Sequence, residues 1–310
     1  MVAVYDNNPG YIELHDVVYN PHRRFLVNLR GEAIPETALL RGKALTITDR
    51  QRGRADANYE SIKQNPVVWI GHVSNTFGHA LTEGISRLWF LYRYPEVCAG
   101  ADIIYQTKGL SRIFKILETY EPRVSQFKKL YRPTLLKHAI VPLPTFCNRA
   151  LAYTDHLILP ESIGLCVEKT SYDRGLLYLS RSQLSSDKRQ IFGEYEVERM
   201  VTDRGGTVFH PQTESFEKQV EMINSHDTVV GFIGSAFHIN LFRVVGRPLF
   251  QHVFTHGMVS NYKIIDALKG FTATSKYYKV CSRDSACGKH KTKQNVICRL
   301  DHVKRIIDEI

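Results

Sequence analysis

The sequence predicts an α/β protein of two domains with a ligand cleft between them, and three observations carry that reading. From Val67 onward, short apolar runs alternate with amphipathic stretches, the rhythm of βαβ units on a parallel sheet. Two junctions, one in each half (residues 67–83 and 229–242), run from a buried strand through small residues into a helix start. In open α/β sheets ligands bind at such places, outside the carboxyl ends of strands and at the amino ends of helices. Finally, 310 residues with 43% hydrophobic and 23% charged content are enough for two α/β domains of ordinary size.

Taken in order, residues 1 to about 60 hold only short alternating pieces (11–14, 25–27 and 45–47), read as antiparallel strands or loops at the edge of the first domain. Strands follow at 67–71, 102–106 and 138–141, with helices near 76–93 and 109–120. Pro142 and Pro144 interrupt the pattern, and Pro160-Glu161-Ser162 begins a bridging helix. The second series is more regular: strand 176–180, helix 194–204 ended by Gly205-Gly206, and strand 207–209. Helix 214–225, strand 228–232, helix 235–245, strand 248–253 and helix 258–269 complete it. That rhythm alone is Rossmann-like. The expected domains are 1–165 and 166–285, with a basic helix or tail over 286–310 that packs back on the first.

Composition narrows the function classes. No apolar run approaches the roughly eighteen residues of a membrane span, and the start of the chain lacks the layout of a signal peptide. A cytoplasmic protein, or one whose leader was removed, is expected. Six scattered cysteines without a CxxC read as reduced thiols. Cys281, Cys287, His290 and Cys298 are zinc-ligand types, but their spacing fits no common finger, so no metal is expected. The net charge of +10 is concentrated at 276–305, where Lys and Arg are opposed only by Asp284 and Asp301. Without a nucleic-acid-binding signature, attraction to phosphate-bearing small molecules or anionic surfaces accounts for that excess.

Three groups of residues are candidates for chemistry. Arg181 directly follows strand 176–180, before a loop with Lys188 and Arg189. An arginine at a strand end can fork onto a phosphate, or be a surface arginine paired with an acid. Gly234, Ser235 and Ala236 form a small-residue turn whose backbone N–H groups can approach a diphosphate, with His238 and Asn240 in the next turns. The same small residues also suit plain helix–sheet packing. Asn75, His79 and Glu83 fall four residues apart, along one helix face. Facing a cleft, that face holds general-base candidates; otherwise it is a capped amphipathic helix.

These residues resemble glycosyltransferase family 61. The pattern Asn75-x-x-Gly78-His79-x-x-x-Glu83-x-x-x-Arg87-Leu88 looks like that family's amino-terminal signature, and Tyr178-Leu179-Ser180-Arg181 resembles its Tyr-Ile-Ser-Arg strand. Ser225-His226-Asp227 is similar to its segment before the glycine turn. Residues 231–242 resemble its Gly-Pro-His-Gly-Ala-Gly-Leu-Thr-Asn-Leu-Leu-Phe block, with Ile233 in place of the histidine and His238 in place of the threonine. Four matches in the family's order cover about residues 67–255.

The resemblance implies an inverting, metal-independent transferase with two Rossmann-like domains facing across a cleft, the GT-B architecture; the absence of an Asp-x-Asp motif agrees. It places the nucleotide sugar on the second domain, against Arg181, Lys188, Arg189, Gly234, Ser235, His238 and Asn240. The glycan acceptor lies on the first, beside Asn75 and His72, with Glu83 the first choice of base and His79 the second. Family members transfer xylosyl, arabinosyl and N-acetylglucosaminyl groups. UDP-xylose is favoured as donor, then UDP-N-acetylglucosamine, with no cofactor, in a microbial or viral enzyme. An inactive glycan- or nucleotide-binding relative and a basic nucleic-acid-binding protein are the rival readings.

Overall fold

The computed structural model of the protein describes residues 3–42, 46–47, 58–107, 112–167, 175–185, 188, 190–257, 259–283 and 296–310. The chain divides into two units, Met1–Pro160 and Glu161–Ile310. The bridging helix runs over Ile158–Val167, so the division falls inside it, at Pro160 instead of residue 165.

The first unit is built on strands β1 (Tyr11–Tyr19), β2 (Ser61–Lys63), β3 (Val67–His72), β4 (Asp102–Gln106) and β5 (Thr134–Pro142). β5 pairs antiparallel with β1 from Tyr11↔Pro142 to Tyr19↔Thr134, and carries β2 and then β3 in parallel along its other side. β4 lies parallel to β3. The expected parallel rhythm therefore holds for β3, β4 and β5, but the long antiparallel β1 makes the sheet mixed. Every residue of β3 is buried, and Val67 and Trp69 pack with Tyr19, Ile104, Leu136 and Val141. The Trp69 indole donates to Thr37 O at 3.0 Å, which lets the large ring lie in the core with its N–H satisfied.

The helix expected over 76–93 is broken. A helical turn at Phe77–His79 gives way to a π-turn at Ala80–Gly84, closed by Ile85 N donating to Ala80 O at 3.1 Å; helix resumes only at Phe90–Arg93. Polar side chains compete for the backbone here: Thr82 Oγ1 bonds Gly78 O and Ser86 Oγ bonds Glu83 O. Arg87 is fully buried and donates to the carbonyls of Pro142, Glu36 and Ala38. Burial pushes its guanidinium down to about 10, so it stays charged at neutral pH. It ties the helical region to β5 and to the loop beyond β1.

Gly71 lies where the β3–β4 register shifts, with φ +83, and a Cβ there would come 3.2 Å from Arg87 Nε. Gly71→Ala is expected to destabilise the fold by about 1–3 kcal/mol, combining a left-handed backbone with that crowding. The midpoint of urea unfolding checks it.

The second unit contains a fully parallel sheet of β6 (Leu176–Leu179), β7 (Thr207–Phe209), β8 (Thr228–Phe232), β9 (Phe250–Phe254) and β10 (Ser275–Tyr278), in the order β7-β6-β8-β9-β10. This is the doubly wound order 2-1-3-4-5. Its strands read as continuous apolar runs because helices cover the sheet. The helix Glu194–Thr202 buries Val197 and Val201. Helix Phe216–Ser225 starts at Ser215, whose hydroxyl accepts from Lys218 N at 3.1 Å, and buries Phe216, Val220 and Ile223. Helix Ser260–Lys269 buries Ile264, Ile265 and Leu268 and ends at Gly270.

One expectation needs correction. Residues 235–242 form a tight 3₁₀ helix instead of an α-helix, and its last six residues, Phe237 to Phe242, are all buried. Residues 284–295 of the basic tail, with Cys287 and His290, lie outside the described residues, but the helix Leu300–Asp308 belongs to the second unit. Its Val303 and Ile307 are buried with Tyr178, Val197 and Val201.

Candidate functional site

In the first unit, the π-turn carries Glu83 into the interior beside His79. His79 Nδ1 lies 3.0 Å from Glu83 Oε2 and 3.4 Å from Asn148 Nδ2; in its pairing with the carboxylate, which only accepts, the imidazole proton is assigned to Nδ1. Glu83 Oε1 accepts from Asn148 Nδ2 at 3.0 Å. The His79 side chain is 40% exposed against 2% for Glu83. Glu83 is the enclosed partner of the pair and His79 the more exposed one. His72, at the end of β3, pairs in register with Gln106 and shares a hydrogen bond with its side chain. Burial lowers the affinity of His72 for a proton; the Gln106 bond and the Glu83 charge act in the opposite sense, and the Arg24 charge adds to the lowering. Asn75 lies exposed in the bend before the helical turn.

In the second unit, the chain passes from β6 outward to β7 and returns across it to β8, so the topological switch point falls between β6 and β8. Ligands bind in the crevice beyond the carboxyl ends of that strand pair. Arg181 stands two residues past the end of β6 and Gly234 two past the end of β8. The two touch: Arg181 Nη1 donates to Ile233 O at 3.0 Å, and a Cβ at Gly234 would collide with the guanidinium. Arg181 Nε is buried without a hydrogen-bond partner among the described residues, an orphaned charged donor at a switch point. Desolvation lowers the guanidinium's affinity for its proton, opposed first by the Glu194 charge.

Glu194 opens the helix Glu194–Thr202 and accepts from the Arg181 backbone N–H at 2.8 Å and from the Tyr178 hydroxyl at 3.2 Å. Burial raises its carboxyl from 4.5 to about 7, and those two donors and the Arg181 charge limit the rise. The folded protein thus keeps a proton that the unfolded chain releases. Stability contributed by this group is complete below pH 4.5 and is lost as pH rises through 7. Glu194→Gln is expected to flatten that loss and to stabilise the protein at pH 8 by about 1–3 kcal/mol, measured by denaturant titration at pH 5 and pH 8.

The structure brings together Arg181 and Gly234, and separately His79 and Glu83. Ser235 is exposed at the start of the 3₁₀ helix, Lys188 is exposed in the loop after β6, and Arg189 lies outside the described residues. His238 is buried and stacks on Tyr262 at 5.0 Å. Asn240 is buried, and its Nδ2 donates to Gln251 Oε1 at 2.6 Å, in a network reaching Asp266. Sequence reasoning missed Asn148, Gln106, Glu194 and Tyr262. Only Glu194 left a signal, an acid at a helix start after Gly193; the others depend on chain crossings that no spacing records. Among the described residues, no helix is long and apolar enough to cross a membrane.

No curated protein matches the chain. The family model described as Glycosyltransferase 61 matches residues 77–247, more than half of it, from the turn bearing His79 through the Arg181 strand to the end of the 3₁₀ segment.

Proposed function

Because the chain belongs to glycosyltransferase family 61, and is therefore a glycosyltransferase acting on a sugar donor and an acceptor, we propose a specific reaction for it. It moves a sugar from a UDP-sugar, xylose first and N-acetylglucosamine next, to a glycan hydroxyl by a single inverting displacement without a metal. The second unit is the donor domain and the first the acceptor domain of a GT-B architecture, in a cytoplasmic enzyme. The observation that carries this reading is the buried Nε of Arg181, without a partner among the described residues, at the switch point of a doubly wound sheet.

Arg181 meets the diphosphate with its guanidinium, and the backbone at Gly234 and Ser235, together with Lys188 and Arg189, supplies further positive potential. As the anomeric bond breaks, this group stabilises the negative charge left on the diphosphate. His79 Nε2 removes the proton of the attacking hydroxyl, and Glu83, held by Asn148, fixes the imidazole tautomer and stabilises the imidazolium that forms. His72 and Asn75 line the acceptor side. A UDP-release assay with UDP-xylose and UDP-N-acetylglucosamine, each with glycan acceptors and a chelator, tests the reading. Turnover that survives the chelator with one of the two donors is expected; release only with an added divalent cation contradicts the metal-free mechanism.

A further inference from the structure

We propose that Cys281 and Cys298 form an oxidisable dithiol, a modification site that a small disulfide such as oxidised glutathione converts to an intrachain disulfide. The two face each other across an antiparallel strand pair, β11 (Cys281–Arg283) and β12 (Val296–Cys298), in the register Cys281↔Cys298. The neighbouring pair is tied by Arg299 N donating to Val280 O at 2.9 Å. Hydrogen-bonded and non-hydrogen-bonded pairs alternate along an antiparallel ladder, so Cys281 and Cys298 occupy a non-hydrogen-bonded position, where Cα atoms lie about 4.5 Å apart and side chains are closest. That separation falls within the Cα range of natural disulfides.

Both side chains point into one cluster, buried with Tyr178, Val197, Val303 and Ile307, and the two thiols are hydrogen-bonded to each other. Cys98 and Cys147 belong to the first unit and Cys166 is exposed, so neither strand-register nor packing offers those thiols the same partner.

In the reaction the two thiols give up two protons and two electrons, and one Sγ–Sγ bond forms. The glutathione disulfide is cleaved to two glutathione thiols. Exchange proceeds through the thiolate. The hydrogen bond to Cys298 and burial both push the Cys281 thiol up, so oxidation is slow at neutral pH and faster in alkali. The new bond closes the chain across residues 282–297 within the cluster that also buries Tyr178, which donates to Glu194.

The test treats the full chain with oxidised glutathione at pH 8.5, blocks remaining thiols after denaturation, and maps the peptides by mass spectrometry. A Cys281–Cys298 linked peptide is expected, with a melting temperature raised by roughly 5 °C and reversed by dithiothreitol. Cys298→Ala should lose both effects and Cys287→Ala should keep both. The proposal is overturned if Cys281 and Cys298 stay alkylatable under conditions that glutathionylate the exposed Cys166, or if either links to Cys287 instead. The wild-type peptide map decides the matter even where a variant folds poorly, and it is independent of the transferase reading.

Discussion

Arg181→Ala is expected to lower kcat for sugar transfer by about 10²–10³-fold, the usual loss when one preorganised donor to a developing anion is removed. The fold should persist: among the described residues the side chain makes one hydrogen bond, to Ile233 O, and losing it costs roughly 1–3 kcal/mol. Arg181→Lys should recover little, because an ammonium lacks the planar fork that can hold Ile233 O with one N–H and a phosphate oxygen with another. Gly234→Ala tests the same contact from the opposite side. Its methyl group displaces the guanidinium without altering any charge, so donor KM and kcat should worsen together while the circular dichroism spectrum is unchanged. Near-normal turnover in both Arg181→Ala and Gly234→Ala contradicts the assignment of the donor seat.

Glu83→Gln is expected to lower kcat by about 10²–10⁴-fold, the span that general-base catalysis supplies. The substituted amide keeps its oxygen on Asn148 Nδ2 and turns its NH₂ toward His79 Nδ1. His79 must then carry its proton on Nε2, the atom that has to accept one from the acceptor hydroxyl. The variant holds the geometry and reverses the tautomer, the same logic by which an acid orients the histidine of a catalytic triad. His79→Ala should lose a similar factor, whereas Asn148→Ala, which frees the carboxylate without removing it, should lose less. If His79→Ala retains activity while Glu83→Gln does not, Glu83 itself is the base.

The parallel sheet of the second unit was legible because strands buried on both faces read as unbroken apolar runs, as at residues 176–179 and 228–232. Arg181 and Gly234 were legible for the same reason, since a residue just past such a run stands at the sheet's carboxyl edge. The helix over 76–93 misled because its apolar spacing is helical, while the π-turn at Ala80–Gly84 comes from side chains competing for backbone carbonyls, which spacing does not encode. The pairing of His79 with Glu83 followed from their four-residue separation. Asn148 did not, for it reaches Glu83 from an irregular stretch beyond β5, and only the closed fold makes them neighbours. The bond from Asn240 to Gln251 was not legible, because Gln251 lies on the next strand.

The central claim, that the switch-point crevice of the second unit seats a nucleotide-sugar diphosphate through Arg181, is tested most directly by thermal shift of wild type and Arg181→Ala. A panel of UDP, UDP-xylose and UDP-N-acetylglucosamine, with other nucleotides as controls, is required. At 100 times Kd a ligand stabilises the folded state by about 2.7 kcal/mol, a shift of several degrees. A uridine nucleotide should raise the melting temperature of the wild type by that amount and leave Arg181→Ala nearly unmoved. No response to any nucleotide, or an equal shift in both proteins, contradicts the claim.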